Sequence, residues 1–137
     1  MDILIADDHK ILREGLKALL CRQPDMKVVG EAADGEEAVR MARELRPDIV
    51  VMDVMMPVMN GFDATMAIRG LDPSVNVVAL SMYANAGFVY EMFRAGAAAF
   101  LVKDCAFEEL EDAVRVVHSG GKYIGDCLKN MLSDMFL

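Results

Sequence analysis

The sequence predicts an α/β domain: a parallel, doubly wound sheet with helices on both faces. Two observations carry this. Short apolar runs rich in β-branched residues recur five times along the 137-residue chain, and each is followed by a segment whose apolar residues repeat at helical spacing. The third observation is where the runs stop. Four of the five end on a charged or hydroxyl residue, at the edge where open α/β sheets place their ligands.

The first run, "DILIAD", ends in Asp7 and Asp8, and "HKILREGLKALLCRQ" then places Ile11, Leu12, Leu16, Leu19 and Leu20 on one helical face. "KVVGEA" is a second strand. "DGEEAVRMARELRP" reads as a helix opened by acidic residues and closed before Pro47, with Ala38, Val39, Ala42 and Leu45 inward. Ile49, Val50, Val51 and Met52 read as a strand buried on both faces, with Asp53 at its carboxyl end. The loop "VMMPVMNG" leads to a third helix from about Gly61 to Leu71. "VNVVALS" is a fourth strand ending in Ser81. "NAGFVYEMFRAG" is a glycine-bounded helix whose Phe88, Val89, Tyr90, Met92 and Phe93 exceed what one buried stripe needs, so some are expected at the surface. "AAAFLVKD" is the fifth strand and ends in Lys103. "FEELEDAVRVVHSGG" is the fifth helix, burying Leu110, Ala113, Val114 and Val117 and stopping at Gly120 and Gly121.

Five such units point to the flavodoxin-like (βα)5 arrangement, strand order 2-1-3-4-5, because right-handed crossovers change sides only where the order reverses. The reversal lies between the first and third strands and opens a crevice. Asp7, Asp8 and Asp53 end the strands that border it, and Ser81 and Lys103 end the next two on the same side. Singly, each has a plain role: a helix cap for Asp7, Asp8 or Ser81, a solvated surface lysine for Lys103, core for Phe100. Three carboxylates, a hydroxyl and an ammonium on one rim are harder to assign to packing.

Composition narrows the classes. A net charge of −8 disfavours phosphate-backbone binding by this domain. No apolar run approaches the roughly 18 residues of a membrane span. Cys21, Cys105 and Cys127 are far apart with no CxxC pair, which argues against zinc, and they are expected as reduced thiols of a cytoplasmic protein. The twelve methionines are expected mostly as core filler.

The motifs "ADD" after the first strand, "DVMMPVMNG" around Asp53, "ALS" at Ser81 and "GAAAFLVKD" around Lys103, in this order, resemble the receiver domain of bacterial two-component response regulators over residues 1–121. "IADDHKILREGL" and "GGKYIG" further resemble the NarL/FixJ-like group, whose receivers precede a LuxR-type helix-turn-helix domain. The resemblance implies that Asp53 accepts a phosphoryl group from a sensor histidine kinase. It implies Mg²⁺ held by Asp8, Asp53 and the main-chain carbonyl of Met55, with Asp7 positioning its waters. Lys103, the Ser81 hydroxyl and the Met82 N–H would meet the phosphoryl oxygens, and Ser81 with Phe100 would form the switch that alters the face of the fourth helix, fifth strand and fifth helix.

Two departures from the common pattern stand out. Phe100 replaces the usual tyrosine and offers no phenolic hydrogen bond, and Asp104 follows Lys103 where many receivers have proline. Bulky Met55 and Tyr83 beside the site suggest a slow approach of water and a long-lived acyl phosphate. The kinase is expected to meet the first helix around Ile11 to Gly15. A homodimer is expected through the fourth-helix, fifth-strand and fifth-helix face or through the first and fifth helices. After "SGGKYIG", Leu128, Met131, Leu132, Met135 and Phe136 share a helical stripe that Asp126 is placed to cap. Residues 122–137 are expected as a C-terminal helix or the start of a linker to a DNA-binding domain absent from this chain.

Two other functions use similar parts. A haloacid dehalogenase-type phosphatase places a DxD motif after the first strand, whereas Asp7 and Asp8 are adjacent. A nucleotide- or flavin-binding module wants a glycine-rich loop there, where "ADDHKIL" instead offers carboxylates.

Overall fold

The structure is a computed structural model and describes residues 1–135. Its elements alternate as expected: β1 (Asp2–Ala6), α1 (Lys10–Cys21), β2 (Lys27–Ala32), α2 (Gly35–Leu45), β3 (Ile49–Asp53), α3 (Gly61–Leu71), β4 (Asn76–Ser81), α4 (Ala86–Ala95), β5 (Ala99–Val102) and α5 (Ala106–His118). Two more follow, β6 (Tyr123–Ile124) and α6 (Asp126–Met135). All the strands are parallel, in the order β2-β1-β3-β4-β5-β6. The predicted five-strand order is therefore present, with a sixth strand added outside β5. Its two residues pair with Ala99 and Phe100, a run too short to show any periodicity in sequence.

The central strands are apolar on both sides because both sides are covered. Leu4, Val50, Met52, Val77, Ala79, Phe100 and Val102 pack on one face with Ala38, Ala64, Met92 and Leu128 from the helices. Ile3, Ile5, Ile49, Val51, Val78, Leu80 and Leu101 pack on the other with Leu16, Leu20, Leu110, Val114 and Val117. Every residue of β3 is buried, Asp53 included, so the strand that delivers this carboxylate is fixed from both sides.

The helix ends follow their local chemistry. Asp34 accepts the Glu37 N–H at the start of α2, Asn60 that of Asp63 at α3, and Asn85 that of Phe88 at α4. Neither Asp7, Asp8 nor Ser81 caps a helix by this side-chain bond. Lys103 does not extend β5 but opens a single 3₁₀ turn, Lys103–Cys105.

Some expectations are corrected. Ile11 does not join the buried stripe of α1 and is 86% exposed; at helical pitch it lies off the Leu16–Leu20 line that meets the sheet. Leu45, at the last position of α2, is exposed. In α4 Met92 is buried, Phe88, Val89 and Phe93 are half-buried, and Tyr90 faces solvent. In the tail stripe Leu128 is buried and Met131 and Leu132 pack beside it; Phe136 and the Met135 side chain lie outside the described residues.

The cysteine reading is also corrected. Cys105 and Cys127 are joined in a disulfide with 6.5 Å between their Cα atoms, and Cys21 is free and exposed. A sequence separation of 22 gave no hint of this. The pairing arises because β6 turns the chain back beside β5 and starts α6 next to the turn after Lys103.

One glycine of the site loop is fixed by contact. A Cβ on Gly61 would fall against the carbonyl oxygen of Asp53 and the Cα of Val54, both main chain and unable to yield. The Gly61 N–H donates to the Val54 carbonyl across the same gap, at 2.8 Å. Gly61→Ala is therefore expected to destabilise the domain by about 1–3 kcal/mol, the usual cost of overpacking a tight site; a lowered urea midpoint at unchanged slope would show it.

Candidate functional site

The site is made where β1, β3 and β5 end. Asp7 follows β1 and is 0% exposed; Asp53 ends β3 and is 2% exposed; Lys103 follows β5 and is 6% exposed. Three charged groups this deep must answer one another. The Lys103 ammonium lies 2.8 Å from Asp7 Oδ2 and 3.0 Å from Asp53 Oδ2, bridging the two carboxylates across the mouth. Neither Oδ2 atom has a well-aligned hydrogen-bond donor among the described residues, so Lys103 answers both by charge alone. Two buried carboxylates thus share one cation, a net deficit of positive charge.

That deficit shows in the acidity of Asp53. Burial, and then the neighbouring charge of Asp7, push its carboxyl up from 3.8 to about 6; Lys103 and the Met55 N–H oppose the rise without cancelling it. The Met55 amide donates to Asp53 Oδ1 at 3.2 Å. The Met55 side chain is 56% exposed, so this residue's hold on the site is through its main chain.

Asp8 stands at the rim, more exposed than its neighbour Asp7. Sequence reasoning passed over the next residue, His9. Its Nδ1 lies 3.0 Å from Asp7 Oδ1, 3.3 Å from Asp8 Oδ1 and 3.1 Å from the Lys103 ammonium, and its N–H donates to Asp7 Oδ1 at 2.8 Å. Its place between an acidic pair and a helix start was the available signal. Arg13 was passed over too: its guanidinium donates to the Asp7 carbonyl at 2.6 Å and lies 3.4 Å from Glu31, holding the end of β1.

Ser81 ends β4 beside this group. It is 1% exposed, and its hydroxyl accepts the Tyr83 N–H at 3.1 Å, tying down the start of the next loop. Phe100 is not at the mouth. It is fully buried on the β5 face that packs toward α4 and α6, in the cluster that holds Met92 and Leu128. Asp7, Asp8, Asp53 and Lys103 are thus brought together, Ser81 is adjacent, Met55 contributes main chain, and Phe100 lies behind the site.

Oxygen atoms of Asp7, Asp8 and Asp53, with a ring nitrogen of His9, all lie within 4.8 Å of one another. Carboxylate oxygens at this spacing, two of them buried and short of donors, form a hard donor set that fits a divalent cation.

Comparison with known proteins agrees with this geometry. The family model described as the response regulator receiver domain matches residues 3–115. The chain is 38% identical over 124 residues to the transcriptional regulatory protein DegU of Brevibacillus brevis, covering 90% of this chain and 52% of that protein. It is 36% identical over 131 residues to the response regulator GacA of Pseudomonas viridiflava, covering 96% and 61%. The chain thus spans between half and two thirds of the length of these curated relatives.

Among solved structures it superposes on a LuxR-family two-component response regulator from Aurantimonas sp. SI85-9A1 with a TM-score of 0.90 and 35% identity, over 98% of this chain and 96% of that one. The response regulator domain of Thermotoga maritima CheB gives 0.81 and 35%, over 87% and 96%. With the strand order, the acidic mouth and the lysine in place, the chain belongs to the response regulator receiver domain family, the signalling switch of two-component systems.

Proposed function

We propose that Asp53 is the phosphoacceptor, taking a phosphoryl group from the phosphohistidine of a sensor histidine kinase. The observation that carries this is the Lys103 ammonium held between Asp7 and Asp53, with Asp53 at the open end of a fully buried strand. The Asp53 carboxylate attacks phosphorus, the P–N bond of the donor breaks, and the imidazole leaves with the electron pair. Because burial and Asp7 raise its pKa to about 6, Asp53 is ionised and nucleophilic above that pH.

Asp8, Asp53 and the Met55 carbonyl, with Asp7 behind, would hold a divalent cation such as Mg²⁺, which would supply the positive charge that two anions need in order to approach. Lys103 neutralises the oxygens that gain charge in transfer, and Ser81 with the Met82 N–H offers hydrogen-bond donors to the same group.

The switch is proposed to pass from Ser81 to Phe100. Ser81 accepts the Tyr83 N–H at the head of the β4–α4 loop. If that hydroxyl turns toward a phosphoryl group, the loop is released and the α4–β5 side repacks around Phe100, which shares its cluster with Leu128 of α6. Residues 1–121 are the proposed receiver and 122–137 the approach to an output domain. By analogy with relatives named as transcriptional regulatory proteins, that output domain would bind DNA. A homodimer through α4-β5-α5 or through α1 and α5, and action in the cytoplasm, belong to the same reading. Among the described residues no helix is long and apolar enough to cross a membrane.

The test is intact mass after incubation with Mg²⁺ and a small phosphodonor. One acid-stable, base-labile phosphoryl adduct per chain is expected, and continuous turnover of phosphate esters without an adduct would favour an enzyme instead. Its decay in the same assay reads the chain's own dephosphorylation. Met55 and Tyr83 stand exposed at the flanking loops, and an adduct that outlasts seconds is the expected result if they slow the approach of water.

A further inference from the structure

The C-terminal helix is held by little of its own. It has ten residues, and isolated helices shorter than about 12–15 residues are marginal in water. Of its described side chains Leu128 is buried, while Met131 and Leu132 are only half-buried. Its docking is concentrated at its first turn. There the Cys127 N–H donates to Glu109 Oε1 of α5 at 3.1 Å, and Cys127 is bonded to Cys105. A Cβ on Gly125 would strike the Glu109 carboxylate, so a larger residue there would push aside the group that accepts the Cys127 N–H.

Cys105 is equally well placed in function. It ends the 3₁₀ turn that Lys103 opens, two residues from the ammonium that bridges Asp7 and Asp53.

We propose that Cys105 and Cys127 are a thiol–disulfide exchange site that locks α6 onto the body of the domain, and that a low-molecular-weight thiol of the glutathione class opens it. The 6.5 Å between the two Cα atoms lies within the span a disulfide bridges without backbone movement. Both residues are half-buried rather than sealed in the core, so a small thiol reaches the sulfurs. A thiolate attacks one sulfur and the other leaves as a thiolate that takes a proton; a second donor thiolate then attacks the first donor's sulfur in the mixed disulfide, and the remaining protein sulfur leaves as a thiolate and takes a proton. The pair gains two electrons and two protons, and the donor leaves as its own disulfide. The same low-molecular-weight disulfide runs the exchange backwards and closes the lock.

The consequence is mechanical. While closed, the tether keeps α6 at high effective concentration on the β5 face where Leu128 shares a cluster with Phe100 and Met92. When open, the helix depends on a few half-buried contacts and exchanges its amides through local release. Unlike the phosphoryl-transfer reading, this lock needs no modification of Asp53, so either can fail without the other.

The experiment uses the full 137-residue chain, with no phosphodonor, equilibrated with oxidised or with reduced glutathione. Alkylation and intact mass should leave Cys105 and Cys127 unreactive in the oxidised chain, with Cys21 free or carrying one glutathione, and should count three reactive thiols in the reduced one. Amide hydrogen exchange over residues 126–133 should quicken at least about tenfold on reduction, with residues 99–102 unchanged as the reference. Cys127→Ser should exchange at the fast rate under both conditions, and Cys21→Ser should behave as the parent. Three alkylatable thiols after oxidised glutathione, mixed glutathione adducts in place of the internal bond, or equal exchange of α6 in both states would each overturn the proposal.

Discussion

Lys103→Met should cost the metal-free domain about 3–5 kcal/mol near pH 7.5, the range found when one partner of a buried ion pair is removed. The residue is 6% exposed and its ammonium is the shared counter-charge of Asp7 and Asp53, at 2.8 and 3.0 Å. Without it two buried carboxylates face each other across a gap that solvent barely enters. Asp53 relieves this by binding a proton, so the deficit relative to the parent should shrink as the pH is lowered through 6 toward 4. Urea denaturation across that pH range measures it directly. Combining Lys103→Met with Asp53→Asn should recover a large part of the loss, because the remaining Asp7 then has no like charge opposite; simple additivity of the two changes would contradict the arrangement. Lys103→Met alone should form the phosphoryl adduct on the order of 10²-fold more slowly, since one fixed positive group no longer meets the charge that develops on phosphorus.

Asp53→Asn should abolish the adduct altogether, while Asp8→Asn should only slow its formation. The distinction follows from role: residue 53 supplies the oxygen that becomes bonded to phosphorus, and Asp8 stands at the rim. The stability of the metal-free Asp53→Asn variant should move the other way from its activity. Asp53 titrates near 6 in the folded chain against an ordinary 3.8, so between these values the native state holds a proton that the unfolded state has released. Stability contributed by that proton is complete below about pH 4 and is lost as the pH rises through 6. The variant lacks this loss. Above pH 6 it should exceed the parent by on the order of 1 kcal/mol, a gap that closes on acidification. Mg²⁺ should stabilise the parent and leave the variant little changed. A variant less stable than the parent at neutral pH without metal would mean that the Asp53 charge is welcome where it sits.

Much of this was legible in the residues themselves. Apolar runs such as "IVVM" can only be buried on both faces, five of them with helices between admit few topologies, and the polar residues that stop them then share one rim. That reasoning reached Asp7, Asp8, Asp53, Ser81 and Lys103, and the structure gathers the three carboxylates, with Lys103 bridging Asp7 and Asp53 and Ser81 on the adjacent strand. It did not reach His9, whose place between an acidic pair and a helix start is a weak signal; only the crossing of Lys103 from β5 to β1 shows what the ring touches. Nor did it separate Ile11 from Leu12 in α1, although Leu12 is spaced by four from Leu16 and Leu20 and Ile11 falls off that line.

Element type, strand order and the identity of the charged rim were thus set by local pattern, because burial on two faces and polarity at strand ends are written in adjacent residues. Three things were decided only in the folded chain: the bridging position of Lys103, the sixth strand with its docked helix, and the meeting of Cys105 with Cys127. Each depends on residues far apart in sequence coming within a few ångströms, and no window along the chain carries that information. The physical reason is that such contacts are fixed by how the layers close on one another, and not by the pattern of any single element.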